Sequence, residues 1–115
     1  MKFLLDTNFL VSAIKFRIDI NKELEKFGRP ELYTLNLVLK ELKKINAERI
    51  VFEFIGKNRV GTITSKNKET DSEIIRTAKK YGMIVCTQDR RLIKRLKAKG
   101  LPVVFIRQKK YLVKT

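Results

Sequence analysis

The chain has no histidine and a single cysteine among its 115 residues. Without histidine there is no imidazole to serve as a general base, and a zinc site, which draws on histidine and cysteine ligands, is not expected. The lone Cys86 has no internal partner for a disulfide and falls in a predicted buried strand. That pattern fits a reducing compartment, so we expect a cytoplasmic protein.

Long hydrophobic runs are also absent. Crossing a bilayer takes about 20 consecutive apolar residues, and no stretch approaches that length. The N-terminus lacks a secretory pattern, because Asp6 interrupts the apolar start too early. Hydrophobic residues make up 43% of the chain, as in an ordinary globular protein. The length suits one core, so we expect a single domain over residues 1–115 with no membrane segment.

Acidic residues are scarce, with 12 Asp and Glu against 27 Lys and Arg, and the formal net charge is +15. From Arg90 to Thr115 the chain carries ten basic residues and no acid, and from about residue 107 it reads as a short basic tail. Such an excess favours a polyanionic partner, with nucleic acid the best candidate. A lysine-rich surface of the kind that thermophile proteins carry is the alternative.

Alternating hydrophobic periods predict the fold. Short apolar runs predict strands at 2–5, 31–35, 60–64, 83–87 and 103–106. Helical spacing predicts helices at 9–16, 19–27, 37–45 with Asn36 as N-cap, 47–55, 71–81 and 90–99. Strands that alternate with helices predict a three-layer α/β/α sandwich around a central, mainly parallel sheet.

Four carboxylates stand out in this basic chain. Asp6 and Asp89 each follow an apolar strand, while Glu41 and Asp71 lie near the starts of helices between those strands. Neighbouring parallel strands end at the same edge of a sheet, so we expect these side chains to meet there. Buried carboxylates repel one another unless a cation is present, and oxygen ligands suit Mg²⁺ or Mn²⁺.

Each acid also has a structural interpretation. Asp6 and Asp89 could cap the helices that follow them. Asp71 could be an acid favoured by the dipole at a helix N-terminus, and Glu41, followed by two lysines, could lie on a solvated helix face.

With these residues in view, the chain resembles a PIN domain, a metal-dependent ribonuclease fold related to the flap endonucleases. The signatures that carry the resemblance occur in the family's order and spacing: Leu4-Leu5-Asp6-Thr7-Asn8, Val38-Leu39-Lys40-Glu41-Leu42, Asp71 three residues before Ile74, and Thr87-Gln88-Asp89. No single signature is specific, but the ordered set spans nearly the whole chain.

The resemblance implies a catalytic and metal-binding role for Asp6, Glu41, Asp71 and Asp89, which in the family coordinate one or two Mg²⁺ or Mn²⁺ ions. Asn8 and Thr87 match positions that orient the first acid or a metal-bound water, although turn and capping chemistry would explain them equally well. Ser72 stands where many relatives have a second acid, which implies a weaker second metal site. Glu73 is a candidate to compensate in part.

The stretch from Thr87 to Arg107 is most similar to the PIN nucleases of small-subunit rRNA processing and their archaeal relatives. The implied function is hydrolysis of RNA phosphodiester bonds by a metal-dependent endoribonuclease, on an rRNA precursor. Two alternatives stay open: a non-catalytic RNA-binding scaffold in ribosome assembly, and a toxin ribonuclease neutralised by a partner peptide. A homodimer is also possible.

Basic residues near the C-terminus are the candidates for gripping the RNA backbone by charge: Arg90, Arg91, Lys94, Arg107, Lys109 and Lys110. Tyr111, within this basic stretch, would either stack on an unpaired base or pack on the edge of the sheet.

Overall fold

Helices and strands alternate along the whole chain in a computed structural model that describes residues 1–115. The strands are β1 (Lys2–Leu5), β2 (Glu31–Leu35), β3 (Gly61–Ile63), β4 (Ile84–Cys86), β5 (Val103–Arg107) and β6 (Tyr111–Lys114). The helices are α1 (Thr7–Lys15), α2 (Ile20–Glu25), α3 (Asn36–Lys44), α4 (Arg49–Lys57), α5 (Thr70–Tyr81) and α6 (Arg90–Ala98). None of these helices combines the length and the apolar character needed to cross a membrane.

All six strands form one sheet in the order β3-β2-β1-β4-β5-β6, with only β6 antiparallel to its neighbour. The chain winds outward from β1 in one direction and then returns to pair β4 on the other side of β1. Right-handed crossovers therefore place α1 to α4 on one face and α5 and α6 on the other. The predicted α/β/α sandwich with a mainly parallel sheet is confirmed.

The core consists of 28 buried hydrophobic residues in a single cluster. Strands β1 and β4 lie in the middle of the sheet, covered on both faces, so they are apolar almost throughout. The helices bury residues at spacings of three and four, as Phe9, Leu10 and Ala13 do in α1. Helix α5 ends at Gly82, whose left-handed backbone (φ 65°) makes it the predicted stop.

The sequence analysis ended the sheet at residue 106, and this was wrong. The segment expected to be a basic tail returns as β6, which pairs antiparallel to β5 with Arg107 opposite Tyr111. Gln108 and Lys109 form the turn with φ values of 54° and 57°. Three residues, 108–110, separate the paired Arg107 and Tyr111, and neither left-handed residue is the Asn or Gly that adopts this conformation most readily.

Asn36 was predicted to cap α3, but it lies in the first turn of that helix and caps nothing there. Its side-chain oxygen instead accepts a hydrogen bond from the backbone N–H of Ser65 at 2.8 Å, and its amide donates to the Ser65 carbonyl at 3.3 Å. This pair of bonds ties the end of β2 to the loop before α5. These two bonds therefore hold the start of the 65–69 loop next to the start of α3.

Candidate active site

The four carboxylates selected from the sequence all line one depression at the C-terminal edge of the sheet. Asp6, Glu41, Asp71 and Asp89 surround a pocket of about 330 Å³, together with Thr7, Asn8, Val11, Ser12 and Ile45. The pocket lies where β1 meets β4, the point at which the strand order reverses. Ligand sites in open α/β sheets occur at this reversal, because the loops from the two strands separate there and leave a crevice.

Asp6 is the most buried of the four acids, at 5% exposure. Its Oδ1 accepts the backbone N–H of Thr7 at 2.8 Å, so it caps α1, and its Oδ2 accepts the hydroxyl of Thr87 at 2.8 Å. Burial raises the pKa of Asp6 to about 6, helped by the like charges of Glu41 and Asp71, while the two hydrogen bonds oppose the rise. Asp6 is thus held rigidly in a place that disfavours its charge.

Two threonine hydroxyls hold Glu41. Thr7 donates to Oε2 at 2.8 Å, and Thr70 donates to Oε1 at 2.5 Å. Thr7 opens α1 on one face of the sheet and Thr70 opens α5 on the other, so the two contacts fix the carboxylate between the layers. The sequence analysis named neither threonine as a site residue. The only signal was their position next to Asp6 and Asp71, which becomes informative once the fold brings both beside Glu41.

Asp89 both caps a helix and lines the pocket. Its Oδ1 accepts the backbone N–H groups of Arg91 at 2.9 Å and Leu92 at 3.3 Å, so it is the N-cap of α6. Its Oδ2 makes no hydrogen bond within the protein, and the residue lines the pocket. Capping therefore orients Asp89 and leaves one oxygen available to a ligand.

Asn8 and Thr87 connect the ends of the two central strands. The Asn8 side-chain oxygen accepts the backbone N–H of Gln88 at 3.0 Å and lies 3.3 Å from the Thr87 hydroxyl. Gln88, which was not singled out from the sequence, bridges to Ile106 of β5 through both its amide nitrogen and its amide oxygen. These bonds hold the loop that carries Asp89 against the start of α1 and against β5.

Asp71 lies in the first turn of α5, behind Glu69 as N-cap. Burial raises the pKa of its carboxyl, and the neighbouring charges of Asp89 and Glu41 add to the rise, while Arg95 lowers it. Asp71 is thus electrostatically coupled to two other pocket acids. The involvement of Arg95 was not expected, because the sequence analysis selected its neighbours on α6 instead.

The donor set suits Mg²⁺ or Mn²⁺, since all four groups are hard carboxylate oxygens and their mutual repulsion would be relieved by a cation. The side chains as placed do not form a finished ligand set, because no group of three His, Cys, Asp or Glu residues converges closely enough to hold a metal. The expectation of a single shared ligand point is therefore not met. A bound cation would require side-chain movement within the pocket.

Neither Ser72 nor Glu73, the two residues after Asp71, lines the pocket. The Ser72 hydroxyl lies 3.5 Å from Nη2 of Arg95. Glu73 is 3% exposed and pairs with Arg76 at 2.7 Å, a hydrogen bond that lowers the pKa of its carboxyl. Glu73 thus supports the start of α5, and the idea that it compensates for a missing acid at the pocket is wrong.

None of the six basic residues chosen as RNA contacts lines the pocket. Arg90, Arg91 and Lys94 are exposed on α6, and Lys110 is exposed in the β5–β6 turn. Arg107 lies over the Phe105 ring and Lys109 over the Phe16 ring, 5.4 and 5.7 Å from the ring centres. These basic residues therefore lie on α6 and on the β5–β6 hairpin, outside the acidic pocket. Half-buried Tyr111 packs on the sheet edge in β6, with Lys26 5.8 Å from its ring centre.

An apolar groove of about 670 Å³ adjoins the acidic pocket, between α1 and the loop that joins α3 to α4. It shares Val11 and Ile45 with the pocket, and Ile14, Ile50 and Val51 continue it. Ile45 and Ile50 are 57% and 50% exposed. Large aliphatic side chains this exposed, side by side next to a polar site, are typical of an interaction surface.

The fold, the pocket at the reversal of strand order and the order of the acids along the chain together indicate the class of this protein. A family profile described as "PIN like domain" matches residues 3–109, so the chain belongs to the PIN-like domain family.

Two curated relatives share most of this chain. The chain is 27% identical to Ribonuclease VapC9 of Archaeoglobus fulgidus, an alignment that covers 91% of this chain and 82% of the relative. It is 30% identical to Ribonuclease VapC4 of Methanocaldococcus jannaschii, covering 96% and 93%. Among solved structures, the PIN domain endonuclease Utp24 matches with a TM-score of 0.84 at 20% identity, over 96% of this chain and 88% of that one. The Utp24 match shows the fold alone.

Proposed function

We propose that this protein is a metal-dependent endoribonuclease that hydrolyses RNA phosphodiester bonds. The observation that carries the proposal is the pocket in which Asp6, Glu41, Asp71 and Asp89 meet at the switch point of a basic protein. Membership of the PIN-like family and the two ribonuclease relatives support it. The stretch from Thr87 to Arg107 resembles the small-subunit rRNA-processing nucleases, so an rRNA precursor is the first substrate to test.

The four pocket acids would hold Mg²⁺ or Mn²⁺, which, when bound, lowers the pKa of a water molecule and offsets the charge that builds on the phosphate. The chain's own contribution is to keep the acids in place. Asp6 is fixed through Thr7 and Thr87, and Glu41 through Thr7 and Thr70. Asp89 presents its free oxygen from the start of α6. No covalent nucleophile is needed.

Cleavage of labelled RNAs with Mg²⁺, Mn²⁺ or EDTA tests this function, with Asp6→Asn as the control. We expect metal-dependent cleavage by the wild type and none by the variant, while RNA affinity is kept or slightly raised because a negative charge has been removed. Tight RNA binding by a wild type that cleaves no substrate would favour the scaffold function instead. A cleavage rate unchanged by Asp6→Asn would refute the assigned site.

A toxin ribonuclease held inactive by a partner protein is the second candidate, and the apolar groove favours it. The groove adjoins the acidic pocket through Val11 and Ile45, so a segment bound there would lie beside the catalytic acids. Both curated relatives carry the name VapC ribonuclease. A toxin of this kind would be encoded beside a small antitoxin gene.

Co-expression tests the toxin function. The wild type should arrest growth of a bacterial host, and a neighbouring small gene should restore it. Ile50→Asp should abolish the rescue while RNA cleavage persists, because Ile50 lines the groove but not the pocket. Absence of growth arrest, with RNA cleavage intact in vitro, would favour a processing nuclease. Light scattering of the purified chain shows whether a second copy covers the groove instead.

A further inference from the structure

Arg95 carries the positive charge that lies beside the acidic pocket. Its side chain extends from α6 to the first turn of α5, where Nη1 is 3.9 Å from Oε1 of Glu69 and Nη2 is 3.5 Å from Oγ of Ser72. These two partners flank Asp71 in the sequence, and the charge of Arg95 acts on the Asp71 carboxyl. The guanidinium therefore lies over the first turn of α5, close to Asp71 but outside the set of residues that line the pocket.

The contacts that Arg95 makes within the protein are long and incomplete. A guanidinium has five N–H donors in a planar fork, and strong charge-assisted pairs form at about 2.7–2.9 Å. Arg95 reaches neither partner at that distance, and its side chain is 44% exposed. Glu69 is 68% exposed, so its attraction for Arg95 is weakened by water. Most of the donors are thus available to a ligand.

Without a bound metal, a pocket lined by four acids repels the phosphates of a polyanion, so a basic side chain beside it would favour RNA binding. We propose that Arg95 is this basic side chain and that it binds an RNA phosphate next to the acids, exchanging its weak contact with Glu69 for that phosphate. The inference rests on the proposed ribonuclease function and adds a substrate contact that the sequence did not reveal. A planar fork suits the assignment, because arginine binds phosphate oxygens in pairs.

Two variants with one charge removed test the proposal. Arg95→Gln is compared with Arg29→Gln, a matched control, because Arg29 is exposed before β2 at the opposite end of the sheet. Binding of a short fluorescent single-stranded RNA is measured in EDTA at several salt concentrations. Arg95→Gln should weaken binding roughly tenfold to a hundredfold and lower the salt slope by about one. Arg29→Gln should have a much smaller effect, and Arg95→Lys should recover part of the affinity.

Metal binding should respond in the opposite direction. Without RNA, Arg95→Gln should bind Mn²⁺ a few-fold more tightly by calorimetry, because a positive charge near Asp71 has been removed. In cleavage assays the variant should raise KM more than it lowers kcat. A structural role alone would weaken both ligands together, so weakened Mn²⁺ binding in Arg95→Gln would overturn the proposal.

Glu69→Gln provides the complementary test. It should tighten RNA binding in the wild-type background, and this gain should shrink in the Arg95→Gln background, since the two residues interact. If the wild type cleaves RNA and the effects of Arg95→Gln equal those of Arg29→Gln, the inference about Arg95 is wrong and the ribonuclease function stands. If the wild type neither binds nor cleaves RNA, both fail.

Discussion

Replacement of Asp6 by Asn should stabilise the protein at neutral pH while it abolishes cleavage. The pKa of this carboxyl is raised from 3.8 to about 6, mainly by burial. A rise of roughly two pKa units corresponds to about 3 kcal/mol by which the ionised carboxylate destabilises the fold. The amide keeps the cap on Thr7, and the Thr87 hydroxyl can turn to Asn8, whose oxygen is 3.3 Å away.

The pH dependence follows from the direction of the shift. Between about pH 4 and pH 6 the folded state keeps a proton on Asp6 that the unfolded chain has lost, so the free energy of unfolding falls as pH rises through this window. Below it, both states are protonated, and above it the loss is complete. The Asp6→Asn variant has no such group. Its advantage over the wild type should therefore be near zero at about pH 4 and reach up to about 3 kcal/mol above pH 6.

Urea denaturation in EDTA from pH 4 to pH 8 measures this difference. Asp19→Asn is the matched control, because Asp19 caps α2 through the Lys22 N–H and is exposed. The control should stay within about 0.5 kcal/mol of the wild type at every pH. Added Mn²⁺ at pH 7.5 should stabilise the wild type and not Asp6→Asn. An Asp6→Asn variant less stable than the wild type at pH 7.5 in EDTA would refute the reasoning.

Three further changes separate structural from functional contributions. Asp89→Ser should keep the α6 cap, so its free energy of unfolding in urea should stay within about 0.5 kcal/mol of the wild type, whereas Asp89→Ala should be less stable by about 1 kcal/mol. Neither variant should cleave RNA. Thr70→Val should reduce the cleavage activity roughly 10–100-fold, because Glu41 loses a hydrogen bond at 2.5 Å. Thr70→Ser keeps the hydroxyl and should retain the activity. Equal activity of the two variants would contradict the idea that Thr70 positions Glu41. Glu23→Ala should destabilise β6, because it removes the oxygen to which the Leu112 N–H donates at 2.9 Å. Hydrogen exchange at Leu112 should become faster while exchange in β1 stays unchanged.

Much of the fold was accessible from the sequence because local patterns agreed with the global arrangement. Strands β1 and β4 are short, almost entirely apolar runs, which are typical of a parallel sheet covered on both faces. Acids that directly follow such strands must lie at the C-terminal edge, so Asp6 and Asp89 could be placed there without coordinates. The ordered signatures also indicated the family that the comparison then showed.

Other features depended on contacts between residues far apart in the chain. Thr70 lies 29 residues from Glu41, and Thr87 lies 81 residues from Asp6. A threonine in a sequence reads only as a turn or capping residue, and its hydroxyl gains a specific function when tertiary packing supplies a buried carboxylate. The position of Glu73 also depended on the tertiary structure, because α5 is oriented so that Glu73 pairs with Arg76 and does not line the pocket.

The sequence by itself determined the architecture, the edge of the sheet at which the acids lie and the strongly basic character of the chain. The tertiary structure alone decided that β6 extends the sheet at its edge, because Gln108 and Lys109 adopt left-handed conformations without the Gly or Asn that would have signalled a turn. It alone brought Arg95, and none of the basic residues selected from the sequence, next to Asp71. The net charge follows from composition alone, whereas the contacts of Arg95 with Glu69 and Ser72 depend on how α6 is placed beside the start of α5.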